Sequence, residues 1–153
     1  MSAPKKIRDL VKQFEKDIEG FKKGTIGEAD IRVYYLNPMF EELGWQTRDR
    51  AVGKSCKSEV THEYSLRIKD NIKKPDYAFQ VGHELKFFIE AKKPSVNIKE
   101  SSDSGYQAKR YGYNAGIPVI LTDFEEFSVY GSNNNPKLGE DASVSRRTYF
   151  TYK

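Results

Sequence analysis

Between Lys5 and Lys23 the apolar positions Ile7, Leu10, Val11, Phe14, Ile18 and Phe21 recur at spacings of three and four. Side chains so spaced share one helix face, and the pattern predicts an amphipathic helix ended by Gly24. A second helical pattern runs from Glu28 to Leu43 through Ile31, Tyr35, Met39, Phe40 and Leu43, and closes at Gly44 before Trp45. Pro38 lies inside it and is expected to kink or divide it. The polar stretch from Thr47 to Ser58 reads as a loop.

From Glu59 the period changes from helical to alternating. Val60, His62, Tyr64, Leu66 and Ile68 alternate with Glu59, Thr61, Glu63, Ser65 and Arg67, which predicts one half-exposed strand. Asp70-Asn71 marks a turn. Asp76 to Val81 and Leu85 to Ala91 are two more strand-like runs, joined at Gly82-His83-Glu84 as a hairpin. Ser101 to Ala115 reads as a helix with Ser101 or Ser102 as its N-cap and Gly116 just past its end. Pro118 to Thr122 is a short apolar run, as in a strand covered on both faces. Phe127 to Tyr130 is a further strand, and Gly131 to Gly139 a turn-rich loop. Helix, helix, three strands, helix, two strands predicts an α/β fold with helices packed on a central mixed sheet.

The chain has 153 residues, the size of one domain, and buries enough surface to fold without a disulfide. Cys56 is its one cysteine, which excludes an internal disulfide and a thiolate zinc site. No stretch approaches the ~20 apolar residues of a membrane span, and no apolar signal segment is present. The expectation is a protein of the cytoplasm with no membrane partner. The net charge of +4 favours a polyanion without identifying one.

The chemistry concentrates on the hairpin. Lys74-Pro75-Asp76 opens one strand and Ile89-Glu90-Ala91-Lys92-Lys93 closes the next. Strand side chains alternate faces, so Glu90 and Lys92 point the same way, and the hairpin can bring Asp76 beside them. Two carboxylates suit Mg²⁺, which keeps several waters and takes few protein ligands. A metal there would lower the pKa of a bound water, and a neighbouring lysine could orient or help deprotonate it. A Glu in the run Phe87-Phe88-Ile89-Glu90 needs a partner, a metal or solvent, and a salt bridge with a lysine is the plain alternative. Lys93 faces away from Glu90 and reads as solvated. His62 and His83 lack ligand spacing and are assigned no role.

Pro75-Asp76, thirteen residues, then Glu90-Ala91-Lys92 resembles the PD-(D/E)xK nuclease superfamily. Gln107-Ala108-Lys109-Arg110-Tyr111 is similar to the QxxxY element of its RecB-like branch, and the i,i+4 spacing puts Gln107 and Tyr111 on one helix face. Those two can also be read as a solvated helix face with a packed ring. Glu28 matches the acidic residue this branch takes from an early helix. Asp30 competes for that role, since two residues apart on a helix cannot share a face. More narrowly, "GEADIRVYYLNPMFEELGW", "KPDYAF", "FFIEAKKP" and "GIPVILTDFEEFSVY" resemble the N-terminal nuclease domain of single-chain, type IIG-like restriction–modification enzymes or of Type I restriction motor subunits.

The resemblance, over roughly Ile7 to Tyr152, implies a restriction-endonuclease-like three-layer core. It also implies that residues 1–153 are one nuclease domain, the N-terminal fragment of a longer chain carrying methyltransferase and target-recognition domains. It implies Asp76, Glu90 and the Ala91 carbonyl as metal ligands with Glu28, and Lys92, Gln107 and Tyr111 as catalytic or supporting residues. The implied cofactor is Mg²⁺, with Mn²⁺ able to substitute. The implied substrate is double-stranded DNA, with a transient dimer for double-strand cleavage. No helix carries the Arg/Asn-rich face of direct base readout, which places sequence recognition elsewhere. A non-catalytic DNA-binding or assembly module of the same fold, or a repair or recombination nuclease, are the alternatives, and metal-dependent cleavage separates the first of them.

Overall fold

A computed structural model describes residues 3–47 and 59–153. Cys56 and most of the loop expected between Thr47 and Ser58 therefore lie outside the described residues. Helix α1 (Lys5–Lys22) has the expected stripe, with Phe14 and Phe21 fully buried, and Gly24 follows at φ 75°. The second helical pattern is continuous over residues 28–42 but has three parts: α2 (Glu28–Ile31), a π-helical turn (Arg32–Leu36) and α3 (Asn37–Glu42). The irregularity expected at Pro38 thus falls on the turn before it. Proline has no N–H for the carbonyl four residues back, and the preceding turn widens so that Asn37 N–H bonds to the Arg32 carbonyl instead.

The single strand expected from Glu59 to Ile68 is two strands in different sheets. β1 (Val60–His62) ends at Glu63, which takes φ 49° and donates its N–H to the Asp76 carbonyl at 2.9 Å. β2 (Leu66–Ile68) then pairs with β3 (Asn71–Lys73) as a separate small hairpin. One left-handed residue suffices for this: it redirects the chain while leaving the apolar alternation on paper almost undisturbed.

The expected hairpin forms from β4 (Tyr77–Val81) and β5 (Glu84–Ala91), and helix α4 (Ser102–Ala115) follows. Ser101 is its N-cap, accepting from Ser104 N–H, and Gly116 closes it at φ 69°. β6 (Val119–Thr122) and β7 (Glu126–Tyr130) match the last two expected strands, and β8 (Arg146–Thr151) adds one that the pattern did not show. The central sheet has the order β1-β4-β5-β6-β7-β8 and is mixed, with β5 and β6 parallel and every other pair antiparallel.

The two faces of β5 feed two cores. Ile89 and Ala91 pack with Tyr77, Phe79 and the helices at residues 5–42, where the rings of Phe14, Tyr35 and Phe124 lie 5.1–5.2 Å apart. Phe88 points the other way, into Ala78, Ala108, Tyr111 and Leu121 under α4. Helices thus cover both faces of the sheet, as an α/β layered fold requires. No described helix is long and apolar enough to cross a membrane.

Candidate functional site

The alternation that sends Phe88 toward α4 sends Glu90 and Lys92 there too. Tyr77 pairs with Ile89, so continuing that register by one residue sets Asp76 across from Glu90. Their closeness is tangible at the backbone: Ala91 N–H donates to Asp76 Oδ2 at 2.8 Å. Ala91 therefore meets the site through its amide, and this fixes the Asp76 carboxylate at the mouth of the hairpin.

Glu90 is 4% exposed. Its Oε1 accepts from Lys92 Nζ at 2.9 Å and from Gln107 Nε2 at 2.6 Å, while its Oε2 is buried without a partner among the described residues. Burial pushes the Glu90 pKa up to about 7; the Asp76 carboxylate adds to this, and Lys92 only partly offsets it. Lys92 Nζ also donates to Gln107 Oε1 at 3.0 Å. Burial opposes the charge on Lys92, but Glu90, Glu28 and Asp76 outweigh it and raise its pKa, so it stays an ammonium.

Gln107 is the hub on the helix side, linking Glu90 and Lys92 to the Tyr111 hydroxyl, which accepts from Gln107 Nε2 at 3.0 Å. The i,i+4 pair therefore faces the sheet as one unit rather than standing on a solvated face. The salt bridge between Glu90 and Lys92 is present as well, yet it satisfies one carboxylate oxygen and leaves the other orphaned. A buried oxygen without a donor is expensive, and a site for a cation is one physical reason to retain it.

Glu28 and Asp30 separate cleanly. Asp30 Oδ2 accepts from Gly27 N–H at 2.8 Å and so caps the helix start. Glu28 lies in the fields of Lys92, Asp76, Arg32 and Lys93; burial raises its pKa, with Lys92 acting against it. Asp30 is thus used by the helix, while Glu28 is near enough to Lys92, Asp76 and Arg32 to feel their charges. Lys93 is exposed, and His62 Nε2 donates to the Thr47 carbonyl at 2.6 Å. Neither gains a role.

Arg32 is the residue that sequence reasoning missed. Its Nη1 stands 3.0 Å from Asp76 Oδ1, its Nη2 3.5 Å from the Asp76 carbonyl, and its guanidinium lies over the Tyr77 ring at 5.1 Å. The available signal was position: Arg32 is one turn beyond Glu28 and shares its face. Asp76 is thus gripped from the helix layer by Arg32 and from the sheet by Ala91.

The donor set fits a hard divalent cation in its chemistry, with two carboxylates at hand and one buried oxygen unsatisfied. Among the described residues no three His, Cys, Asp or Glu side chains come together closely enough to hold a metal, so Glu28 does not complete a three-carboxylate cluster with Asp76 and Glu90. One or two protein carboxylates are what Mg²⁺ ordinarily uses.

No family model matches the chain. Over 149 residues, 95% of this chain, it is 32% identical to the Type II restriction enzyme and methyltransferase RM.Eco57I of Escherichia coli. The chain spans 15% of the length of that relative. The crystal structure of the type IIG restriction endonuclease BpuSI superposes with a TM-score of 0.42 and 16% identity, over 72% of this chain and 11% of that one. The chain is therefore similar along nearly its whole length to a small part of a restriction enzyme.

Proposed function

We propose that this chain is the DNA-cleaving module of a restriction–modification enzyme: a metal-dependent endonuclease domain of the PD-(D/E)xK type, hydrolysing phosphodiester bonds in double-stranded DNA. The observation that carries this reading is the buried Glu90 carboxylate, set across from Asp76, with one oxygen tied to Lys92 and Gln107 and the other without a partner. The similarity to a protein named as both restriction enzyme and methyltransferase supports it.

In this reading Asp76 and Glu90, with the Ala91 carbonyl at hand, would hold Mg²⁺ or Mn²⁺, and Glu28 stands outside the direct ligands. A metal bound there would supply an activated water and offset charge on the phosphate. Lys92, kept cationic and aimed by Glu90 and Gln107, orients that water and offsets negative charge on the phosphate. Gln107 fixes the rotamers of Glu90 and Lys92 together, and Tyr111 holds Gln107. Methyltransferase and target-recognition domains in the same full-length chain would supply protection and specificity, in the cytoplasm, and two copies would pair transiently to break both strands.

The test is nicking of supercoiled plasmid by the chain and by its Asp76→Ala and Lys92→Ala variants, in Mg²⁺, Mn²⁺ or EDTA. Cleavage that needs metal and is lost in both variants is expected. Cleavage by either variant at the wild-type rate removes the site assignment. Metal-independent DNA binding with no cleavage under any condition favours the non-catalytic module instead.

A further inference from the structure

We propose that the DNA strand leaves the candidate site along a groove on the outer face of α4, with its phosphates held by Lys73 and Arg110 and its sugars and bases against Tyr106 and Tyr113. This rests on the nuclease reading and extends it to the residues that position the substrate. A pocket of about 220 Å³, lined by Lys73, Tyr106, Gln107, Arg110 and Tyr111, opens directly beside the Gln107–Tyr111 pair. A second pocket of about 310 Å³ shares Tyr106 and Arg110 with it and continues to Lys69, Tyr113, Asn114 and Asn135. The two pockets flank the same two side chains, and the first lies against Gln107 and Tyr111 of the site.

The helix period explains how one element serves both. Gln107 and Tyr111 point at Glu90, while Tyr106, Arg110 and Tyr113, spaced by four and three, form the adjoining stripe. The opposite wall is the small β2–β3 hairpin, which contributes Lys73 from β3 and Lys69 from its turn. Among the described residues no acidic side chain lines either pocket. Among the described residues neither Lys73 nor Arg110 is in an ion pair, in contrast to Lys109 on the same helix, which is buried against Glu140. Cations without a protein counterion, interleaved with tyrosines and side-chain amides, suit a polynucleotide backbone: phosphates meet the charges, and sugars or bases meet the rings. Arg110 adds a planar fork that two phosphate oxygens can accept from at once.

The experiment is fluorescence anisotropy of a short labelled duplex in EDTA, so that nothing is cut, over a salt series. Wild type is compared with Lys73→Gln, Arg110→Gln, the double variant, Arg110→Lys, and Lys86→Gln, whose lysine is already paired with Glu84. Lys73→Gln, Arg110→Gln and the double variant are each expected to weaken binding several-fold and to lower the slope of log K against log salt by about 0.9 per charge removed. Lys86→Gln should match wild type, and Arg110→Lys should recover most of the slope, which a merely structural role does not predict. Lys73→Gln and Arg110→Gln variants that bind with wild-type affinity and slope overturn the groove while leaving plasmid cleavage by the wild type, and so the nuclease reading, intact. A wild-type chain with no salt-dependent affinity for DNA overturns both.

Discussion

Replacing Asp123 by Asn should stabilise the protein, and more so at higher pH. Asp123 sits in the turn between β6 and β7 and is 1% exposed. Its Oδ1 accepts from Glu126 N–H at 2.7 Å, but its Oδ2 has no partner among the described residues. Burial raises its pKa; the Glu126 N–H pulls the other way, the Glu126 and Glu125 charges add to burial, and the result is a shift from 3.8 up to about 7. An acid whose pKa rises on folding holds its proton more tightly in the native state. Stability therefore falls as pH rises from about 4 to about 7, and the full penalty stands above that range.

The penalty from that shift is about 4 kcal/mol at pH 8 and about 1.5 kcal/mol at pH 5. Asparagine keeps the acceptor for Glu126 and cannot ionise, so its advantage over the wild type should widen by about 2–3 kcal/mol between pH 5 and pH 8. Urea unfolding followed by circular dichroism at the two pH values measures this, with an unchanged m-value showing that the same surface is exposed. A stability difference that is equal at both pH values, or an Asn variant less stable than wild type at pH 8, would refute the claim that Asp123 is a buried, strained acid.

Three further outcomes follow from the same geometry. Mg²⁺ should raise the melting temperature of the wild type more at pH 8 than at pH 6, because Glu90, held near 7, must lose its proton to bind a cation; Glu90→Gln should show no shift, and an equal shift in that variant would sink the assignment. Arg32→Ala should lower stability in EDTA by about 1–3 kcal/mol, since it leaves the largely buried Asp76 short of a donor, yet tighten Mn²⁺ binding by calorimetry because Asp76 Oδ1 is freed. Loss of both stability and metal affinity would instead make Arg32 a prop for Asp76. Gly112→Ala should destabilise by about 1–3 kcal/mol despite alanine's better helix propensity, because the added carbon would lie 2.9 Å from the Ile117 carbonyl and 3.2 Å from Val119 Cγ1; a thermal melt at or above the wild-type midpoint would show that α4 can shift away.

The parts of this fold that were legible in the chain are those where a local period meets a local turn. The β4–β5 hairpin shows as two strand-like runs around one glycine, and the alternation of side chains along any strand says that Glu90 and Lys92 share a face. The i,i+4 spacing of Gln107 and Tyr111 works likewise. What stayed hidden was decided by single residues or by distant partners. Glu63 turns the chain out of the sheet with one left-handed φ, which no hydrophobicity pattern registers. β8 is a partly exposed edge strand whose RRTYFT sequence carries charge where apolar alternation is looked for, and its place is set by pairing with β7. Arg32 finds its partner 44 residues away, so only the assembled layers reveal it.

That hidden arginine changes how the site is read. Glu28, Asp76 and Glu90 bring three carboxylates to one end of the sheet, and Arg32 and Lys92 answer them with two cations. The pair at Asp76 is closed on both oxygens, by Arg32 and by Ala91 N–H. The shortfall therefore settles on Glu90, the most buried of the three, as a raised pKa and an oxygen with no donor. A structural salt bridge would be expected to satisfy the deeper carboxylate first, because an unpaired buried charge is the dearer one. Here Asp76 is satisfied on both oxygens, whereas the deeper Glu90, although bridged to Lys92 and Gln107, is satisfied on one oxygen only. A cation at Glu90 Oε2, shared with Asp76, would supply the partner that the fold leaves out.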